Sequence, residues 1–353
     1  MSPQRLPKTM RAVILKGVGG LDQLQVVEVP VPHPGPGEVL VKVGACGLNN
    51  SDVMLRIGGY GREDDPDAST GWKREAPSFP RIQGSDIAGI IVAVGSGIDE
   101  ARIGHRVLVN PTLYLNDPED PTAVDYLGSE RDGGYAEYCA VPAGSAVTVA
   151  SGLSFEDLAT FPIAYLTALH MLNRARLAAG ERLVVTGASG GVGSAMLQLA
   201  RLRGAKAVAV VGPGKERPAL ELGAAAAVVR DADDLDAALR AAAGGAVDVV
   251  ADVAGGPAFG KLLAALRPGG RYVTCGAIAG PVVPLDLRTV YLKHLEIIGS
   301  SYGTMSEFTE LVAHIEAGGL APLRAVTYPL ERLAEAQAAF LEKRHFGNIV
   351  VTP

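Results

Sequence analysis

At residues 183–201 a short apolar run meets a glycine cluster and continues with helical periodicity: Leu-Val-Val-Thr-Gly-Ala-Ser-Gly-Gly-Val-Gly-Ser-Ala-Met-Leu-Gln-Leu-Ala-Arg. The pattern predicts a strand, a tight turn and a helix. Gly187, Gly190 and Gly193 are spaced G-x-x-G-x-x-G, so the backbone can turn sharply, a phosphate can approach, and the helix can pack closely on the strand. The first N–H groups of that helix, near Gly191 and Val192, have no intrahelical carbonyl, and the helix dipole favours an anion there. A dinucleotide pyrophosphate fits this description, and so does a buried turn that needs glycine for packing alone. The expected cofactor contacts on this turn are Gly187, Ser189, Gly190, Gly191, Val192 and Gly193.

The flanking chain favours the first reading. Apolar runs at 182–186, 207–211, 227–229, 247–252, 271–275 and 296–299 alternate with helical stretches at 193–203, 215–222, 235–242 and 258–266. That alternation predicts βαβ units in a doubly wound parallel sheet. Ser154 is a candidate cap for a helix starting at Phe155, and 161–172 continues as an apolar helical stretch. Upstream, 10–150 shows short runs at 11–15, 38–43, 86–94, 106–110 and 136–141 cut by glycine and proline, which predicts an all-β barrel-like domain. Two stretches, 61–78 with Trp72 and 113–132, read as long surface loops, either solvated insertions or a substrate lid. Helices at 305–317 and 330–343 and a last strand at 348–352 return to the first domain. The expected division is 1–153, 154–302 and 303–353.

With 353 residues the chain is long for a single core. The net charge of −6 and the lack of a basic stripe argue against nucleic acid. The N-terminus has no apolar leader, and no run approaches the roughly 20 apolar residues of a membrane span, so a cytoplasmic protein without a membrane partner is expected. Cys46, Cys139 and Cys275 are too scattered for a disulfide framework or a cysteine zinc cage.

The second strand bears on the cofactor. An NAD site places Asp or Glu about 20 residues beyond the first glycine, on the adenosine ribose. Here Val211 is followed by Gly212-Pro213-Gly214-Lys215-Glu216-Arg217. Gly212, Lys215 and Arg217 are therefore expected at a 2′-phosphate, which the cations would neutralise and a carboxylate would repel; the alternative is two solvated cations at a helix start. The cofactor expected is NADP(H).

Further motifs carry a family resemblance: Pro34-Gly35-Pro36-Gly37-Glu38-Val39-Leu40-Val41, Gly84-Ser85-Asp86-Ile87-Ala88-Gly89, Gly104-His105-Arg106-Val107, and Ala164 to Ala168. With the glycine turn, they resemble the medium-chain dehydrogenase/reductase superfamily across nearly the whole chain. The resemblance implies an α/β protein with a GroES-like β-barrel catalytic domain and a Rossmann domain, a cofactor and a small-molecule substrate in the cleft, and a homodimer built through the Rossmann domain. In the zinc alcohol dehydrogenases of that superfamily a cysteine, a histidine and a glutamate stand where this chain has Asn49, Ser85 and Asp86. No catalytic zinc is expected, because Asn49 and Ser85 cannot replace a thiolate and an imidazole. The chain then resembles the zinc-lacking quinone oxidoreductases and enoyl reductases, which implies hydride transfer from NADPH to a quinone or an activated C=C.

Within Asn50 to Gly61, Tyr60 resembles the proton donor of enoyl thioester reductases; a packing tyrosine at a loop end is the other reading. Met54 stands where several quinone reductases carry a tyrosine. Asn49 matches the asparagine of the zinc-lacking branch, which orients substrate or cofactor, although a turn-stabilising role is open too. The resemblance also implies Thr167 near the nicotinamide, Gly276 and Ala277 along the ring, and Asn348 at a contact that in the family reads Gly-Lys. His105 is expected to be structural. Two other classes stay open: a non-catalytic NADPH-binding structural or sensor protein, and an aldehyde reductase.

Overall fold

The computed structural model describes residues 6–59 and 78–353. Its organising layer is a six-stranded sheet in the order Ala226–Val229, Lys206–Val211, Arg182–Val185, Val247–Asp252, Leu266–Thr274 and Glu296–Gly299, every pair parallel. In chain order this is 3-2-1-4-5-6, so the order reverses between the first and fourth strands. Doubly wound sheets bind their ligands at that crevice, outside the carboxyl ends of the strands. The strands read as near-continuous apolar runs because both faces are covered by helices. Leu183, Val185, Ala209 and Val249 pack into one buried cluster, and Val184, Val208, Val210 and Val250 into another on the opposite face.

The other half is built on a second sheet, ordered Ala146–Thr148, Arg106–Val109, Asp86–Val94, Glu38–Gly47, Asn348–Thr352 and Arg324–Pro329, with Tyr138–Pro142 also paired to Glu38–Gly47. A three-stranded sheet, Leu24–Pro30, Thr9–Leu15 and Arg81–Ile82, joins it through an Ala12–Ala136 bridge and the Val13 N–H to the Tyr135 carbonyl at 2.9 Å. The chain's last strand is therefore a central member of the first half's sheet. The helix Met305–Glu316 lies elsewhere: its Phe308, Leu311, Val312 and Ile315 join the core around the helix Pro162–Arg174 and the parallel sheet.

Two elements differ from the sequence expectation. Residues read as a motif in an all-β region form the helix Asn50–Ile57, which ends at Gly58 with φ of +71°. Its eight residues are too few to show a helical period against the glycine-rich background. The 113–132 stretch is not a free surface loop. It contains the hairpin Thr112–Tyr114 with Val124–Tyr126 and is tied to the start of the Met305–Glu316 helix. The Met305 N–H donates to the Pro118 carbonyl at 2.9 Å, the Ser306 hydroxyl to Glu119 at 2.6 Å, and the Tyr114 hydroxyl to the Gly303 carbonyl at 2.8 Å. Its acids and prolines look solvated in the sequence; the buried apolar side chains are Leu113, Val124, Tyr126 and Leu127, too few to set a period. The 61–77 portion of the other expected loop lies outside the described residues.

Candidate active site

The glycine turn sits at the switch point. Gly187 ends the first strand with φ of +55°, a conformation that L side chains rarely adopt, and a Cβ on it would stand 2.7 Å from Val253 Cγ2. A Cβ on Gly193 would collide with the Gly187 carbonyl oxygen, so the third glycine sets how closely helix and strand pack. Gly190 is the extended N-cap of the helix Gly191–Leu202. Gly187, Ser189, Gly190, Gly191 and Val192 all keep some exposure, whereas Ala188 and the residues from Gly193 to Ala200 are buried. The turn thus presents backbone, and little else, to the crevice.

Asn348 closes one side of this turn. Its side chain lies where a Cβ on Gly191 would go, and its Nδ2 donates to the Thr160 carbonyl at 3.2 Å. Asp252 closes the other. It is fully buried at the end of the fourth strand, where Oδ1 accepts from the Thr186 hydroxyl and from the N–H groups of Ala254 at 2.9 Å and Gly255 at 3.1 Å. Its Oδ2 accepts from the Tyr272 hydroxyl. One carboxyl group therefore ties together Thr186 before the glycine turn, the 253–255 turn, and Tyr272 within the neighbouring strand. The sequence reading missed Asp252, although an acid ending the otherwise apolar 247–252 run was the available signal.

At the end of the second strand Gly212 has open space where a side chain would stand. Lys215 Nζ donates to the carbonyls of Lys343 at 2.7 Å and His345 at 2.9 Å, so the sheet half touches the returning C-terminal segment there. Lys343 Nζ in turn reaches Asn50 Oδ1 at 2.9 Å, and burial with the nearby Lys215 charge brings its pKa down to about 8. Arg217 is not brought to this group; it makes an exposed ion pair with Glu221 one turn along its own helix, at 2.8 Å. At the other end of the crevice, Ile163 and Thr167 are the only partly exposed residues between Phe161 and Met171. Spaced one turn apart, they mark a single helix face. A Cβ on Gly276 would lie 2.8 Å from the Val253 carbonyl oxygen, and Ala277 abuts Gly255, so both expected ring contacts pack on the 253–255 turn.

On the barrel side Asn49 caps the Asn50–Ile57 helix. Its N–H donates to Asp52 Oδ2 at 2.8 Å and its Nδ2 to Asp86 Oδ2 at 2.8 Å. Asp86 Oδ1 accepts from the Ile163 N–H at 2.6 Å, and Asp52 also accepts from the Tyr135 hydroxyl at 2.8 Å. Both acids are buried. Burial pushes Asp86 up to about 7 against the hydrogen bonds from Asn49 and Ile163, and pushes Asp52 up to about 6 against those from Asn49 and Tyr135. Ser85 turns away and donates to the Leu127 carbonyl at 2.6 Å. Tyr60 lies outside the described residues. His105 is exposed and pairs with Thr148 at 3.3 Å, as a structural residue does.

A zinc ion does not fit this donor set. Asn49 offers its amide N–H to Asp86, Ser85 is spent on a backbone carbonyl, and Asp86 alone brings an anionic oxygen. Among the described residues no group of three or more His, Cys, Asp and Glu is arranged to hold a metal. A dinucleotide does fit: the open Gly212, the glycine turn and the partly exposed Thr167 face all offer room, and bulk is absent where a cofactor would lie against backbone.

An alcohol dehydrogenase GroES-like domain model matches residues 35–151, and a zinc-binding dehydrogenase model matches 191–317. Quinone oxidoreductase of Rattus norvegicus is 32% identical over 339 residues, covering 93% of both chains, and that of Homo sapiens is 30% identical over the same share. Among solved structures, a putative alcohol dehydrogenase from Sinorhizobium meliloti 1021 is 56% identical with a TM-score of 0.95, covering 99% of this chain and 98% of that one. The 2-octenoyl-CoA carboxylase reductase CinF of a Streptomyces species, solved with NADP and 2-octenoyl-CoA, is 28% identical with a TM-score of 0.85, covering 99% of this chain and 88% of its own. Fold, glycine turn and relatives together make this chain an oxidoreductase with a nicotinamide cofactor site, and it belongs to the medium-chain dehydrogenase/reductase superfamily, in its quinone oxidoreductase-like branch.

Proposed function

We propose that the chain is an NADPH-dependent, zinc-independent oxidoreductase that delivers hydride to a quinone or to an activated C=C in the cleft between its two halves. The observation that carries this reading is the Asn49–Asp86 hydrogen bond, which fills with an amide and a carboxyl the place where a Lewis acid would need thiolate and imidazole. The reduced nicotinamide, when bound, supplies the hydride. An enone that takes it at the β-carbon moves its electron pair to the carbonyl oxygen; the resulting enolate is far less basic than an alkoxide, so a hydrogen-bond donor can replace a metal. Asn49 Nδ2 has a second hydrogen for that oxygen. Tyr60, two residues beyond the Gly58 helix cap, is the proposed donor of the proton to the α-carbon.

The preference for NADPH rests on the absence of an acid at the end of the second strand, where Gly212 stands, and on Lys215 three residues further on, with Lys343 beside it. The glycine turn from Gly187 to Gly193 is proposed to hold the pyrophosphate, and Thr167, Gly276 and Ala277 the nicotinamide end. We also propose a homodimer through the Rossmann half. Its edge strand Glu296–Gly299 follows a segment that exposes Val282, Leu287, Tyr291 and Leu292, the last 69% accessible, and bare large apolar side chains near a sheet edge favour association. A sedimentation profile of monomer alone at micromolar concentration removes that proposal. A cytoplasmic setting agrees with the three free cysteines.

The test is to mix purified protein with NADPH, and in parallel NADH, and follow loss of the reduced nicotinamide absorbance with 1,4-benzoquinone, 2-cyclohexenone, an enoyl thioester and an aldehyde. Turnover of a quinone or enone by metal-free protein is expected. Turnover only of the aldehyde, or only after zinc is added, overturns the reading.

A further inference from the structure

The Asp86 side chain touches both halves of the molecule. It comes from the barrel strand Asp86–Val94, is 1% exposed, and spends each oxygen on a different half: Oδ2 on the Asn49 amide of the barrel, Oδ1 on the N–H of Ile163 in the helix that carries Thr167. Asn49 is held at a second point, because its own N–H is taken by Asp52, which the Tyr135 hydroxyl anchors. Asn49 presents its nitrogen to Asp86, Nδ2 to Oδ2 at 2.8 Å, the edge that an ionised carboxyl, which only accepts, requires. One Nδ2 hydrogen is thereby consumed, and Oδ1 with the other hydrogen is turned away from Asp86.

We propose that Asp86 is a positioning residue: it fixes which edge of the Asn49 amide faces the cleft and ties that amide to the Ile163–Thr167 face of the cofactor-binding half. This rests on the reading of Asn49 as a substrate contact. Pre-set donors gain their effect from not having to reorient as charge develops, and an asparagine amide that is free to turn offers a donor only part of the time.

The prediction is one of dependence. With 1,4-benzoquinone and 2-cyclohexenone as probes, Asn49→Ala is expected to lower kcat about 10- to 100-fold. Asp86→Asn, whose single carbonyl oxygen cannot accept from the Ile163 N–H and the Asn49 Nδ2 in the places where the two carboxyl oxygens do, breaks one of the two ties and is expected to lower it about 10-fold. In the Asn49→Ala background Asp86→Asn adds nothing further, because its effect runs through Asn49. NADPH affinity stays within about threefold throughout, which marks an effect on the chemical step rather than on folding. Losses that add in the double variant overturn the proposal, and full activity of Asn49→Ala overturns the underlying reading of the site instead. Should Asp86→Asn not fold, the unaltered protein still decides: its Asn49 side-chain amide resonance, assigned by its loss in Asn49→Ala, shows one protected and one exposed hydrogen if Asp86 holds it, and two that exchange alike if it does not.

Discussion

The two walls of the cleft are made of different material. On the sheet side the glycine turn offers backbone: Gly187, Gly190 and Gly193 are there because a Cβ would strike Val253 or the Gly187 carbonyl, or because the helix must start there. On the barrel side the site is a web built on the side chains of Asn49, Asp52, Asp86 and Tyr135, drawn from three separate parts of the chain and joined by hydrogen bonds of 2.8 Å. A backbone site is tolerant of everything except bulk and is chemically inert. A side-chain web can bear chemistry and carries the cost of two buried acids. The molecule thus separates holding a cofactor from acting on a substrate.

That contrast can be broken in order of severity. Gly193→Val puts a branched side chain against the Gly187 carbonyl, where backbone must move to admit it. Overpacking of that kind costs about 3 kcal/mol or more, so NADPH binding is expected to vanish or the melting temperature to fall by about 6 °C or more; titration of nicotinamide fluorescence and a thermal melt read both. If cofactor binding survives unchanged, the turn is packing alone.

Lys215→Ala is gentler, because the backbone cradle remains. It is expected to weaken NADPH binding about tenfold, the scale of one charge-assisted contact, and to leave NADH nearly unaffected; equal losses for both would mean that Lys215 only ties the C-terminal segment through the Lys343 and His345 carbonyls.

Smallest is the effect of pH, which acts on the barrel wall. Asp86 and Asp52 hold their protons to about 7 and about 6, above the usual carboxylate range, chiefly because of burial. The folded chain therefore binds more protons than the unfolded one between about pH 4 and 7, and these two groups make stability fall as pH rises through that window. In Asp86→Asn the melting temperature is expected to drop less between pH 5 and pH 8, by a few degrees, than in the unaltered protein. An identical slope in the two would show that Asp86 is ionised and paid for throughout.

The architecture was readable in advance because it rests on local rules. The parallel strands at 247–252 and 296–299 and the last strand at 348–352 were bounded correctly from apolar runs and breakers alone, and the glycine turn fell where its spacing placed it. The helix Asn50–Ile57 was missed because two turns are too few to show a period, and the 113–132 hairpin because its acids outnumber its buried apolar side chains.

What the sequence by itself determined is therefore the backbone: glycines at fixed intervals dictate a strand–turn–helix whatever lies around them, and alternating apolar runs dictate the doubly wound sheet. Only the tertiary structure decided the side-chain partnerships. Asn49 meets Asp86 across 37 residues, Asp86 meets Ile163 across 77, and Lys215 meets Lys343 across 128. Asp252 likewise gathers Thr186 from 66 residues away. No spacing rule links such positions, because each contact exists only once two sheets and a returning C-terminal strand have packed, and the free energy that holds them together comes from that packing rather than from the residues' place in the chain.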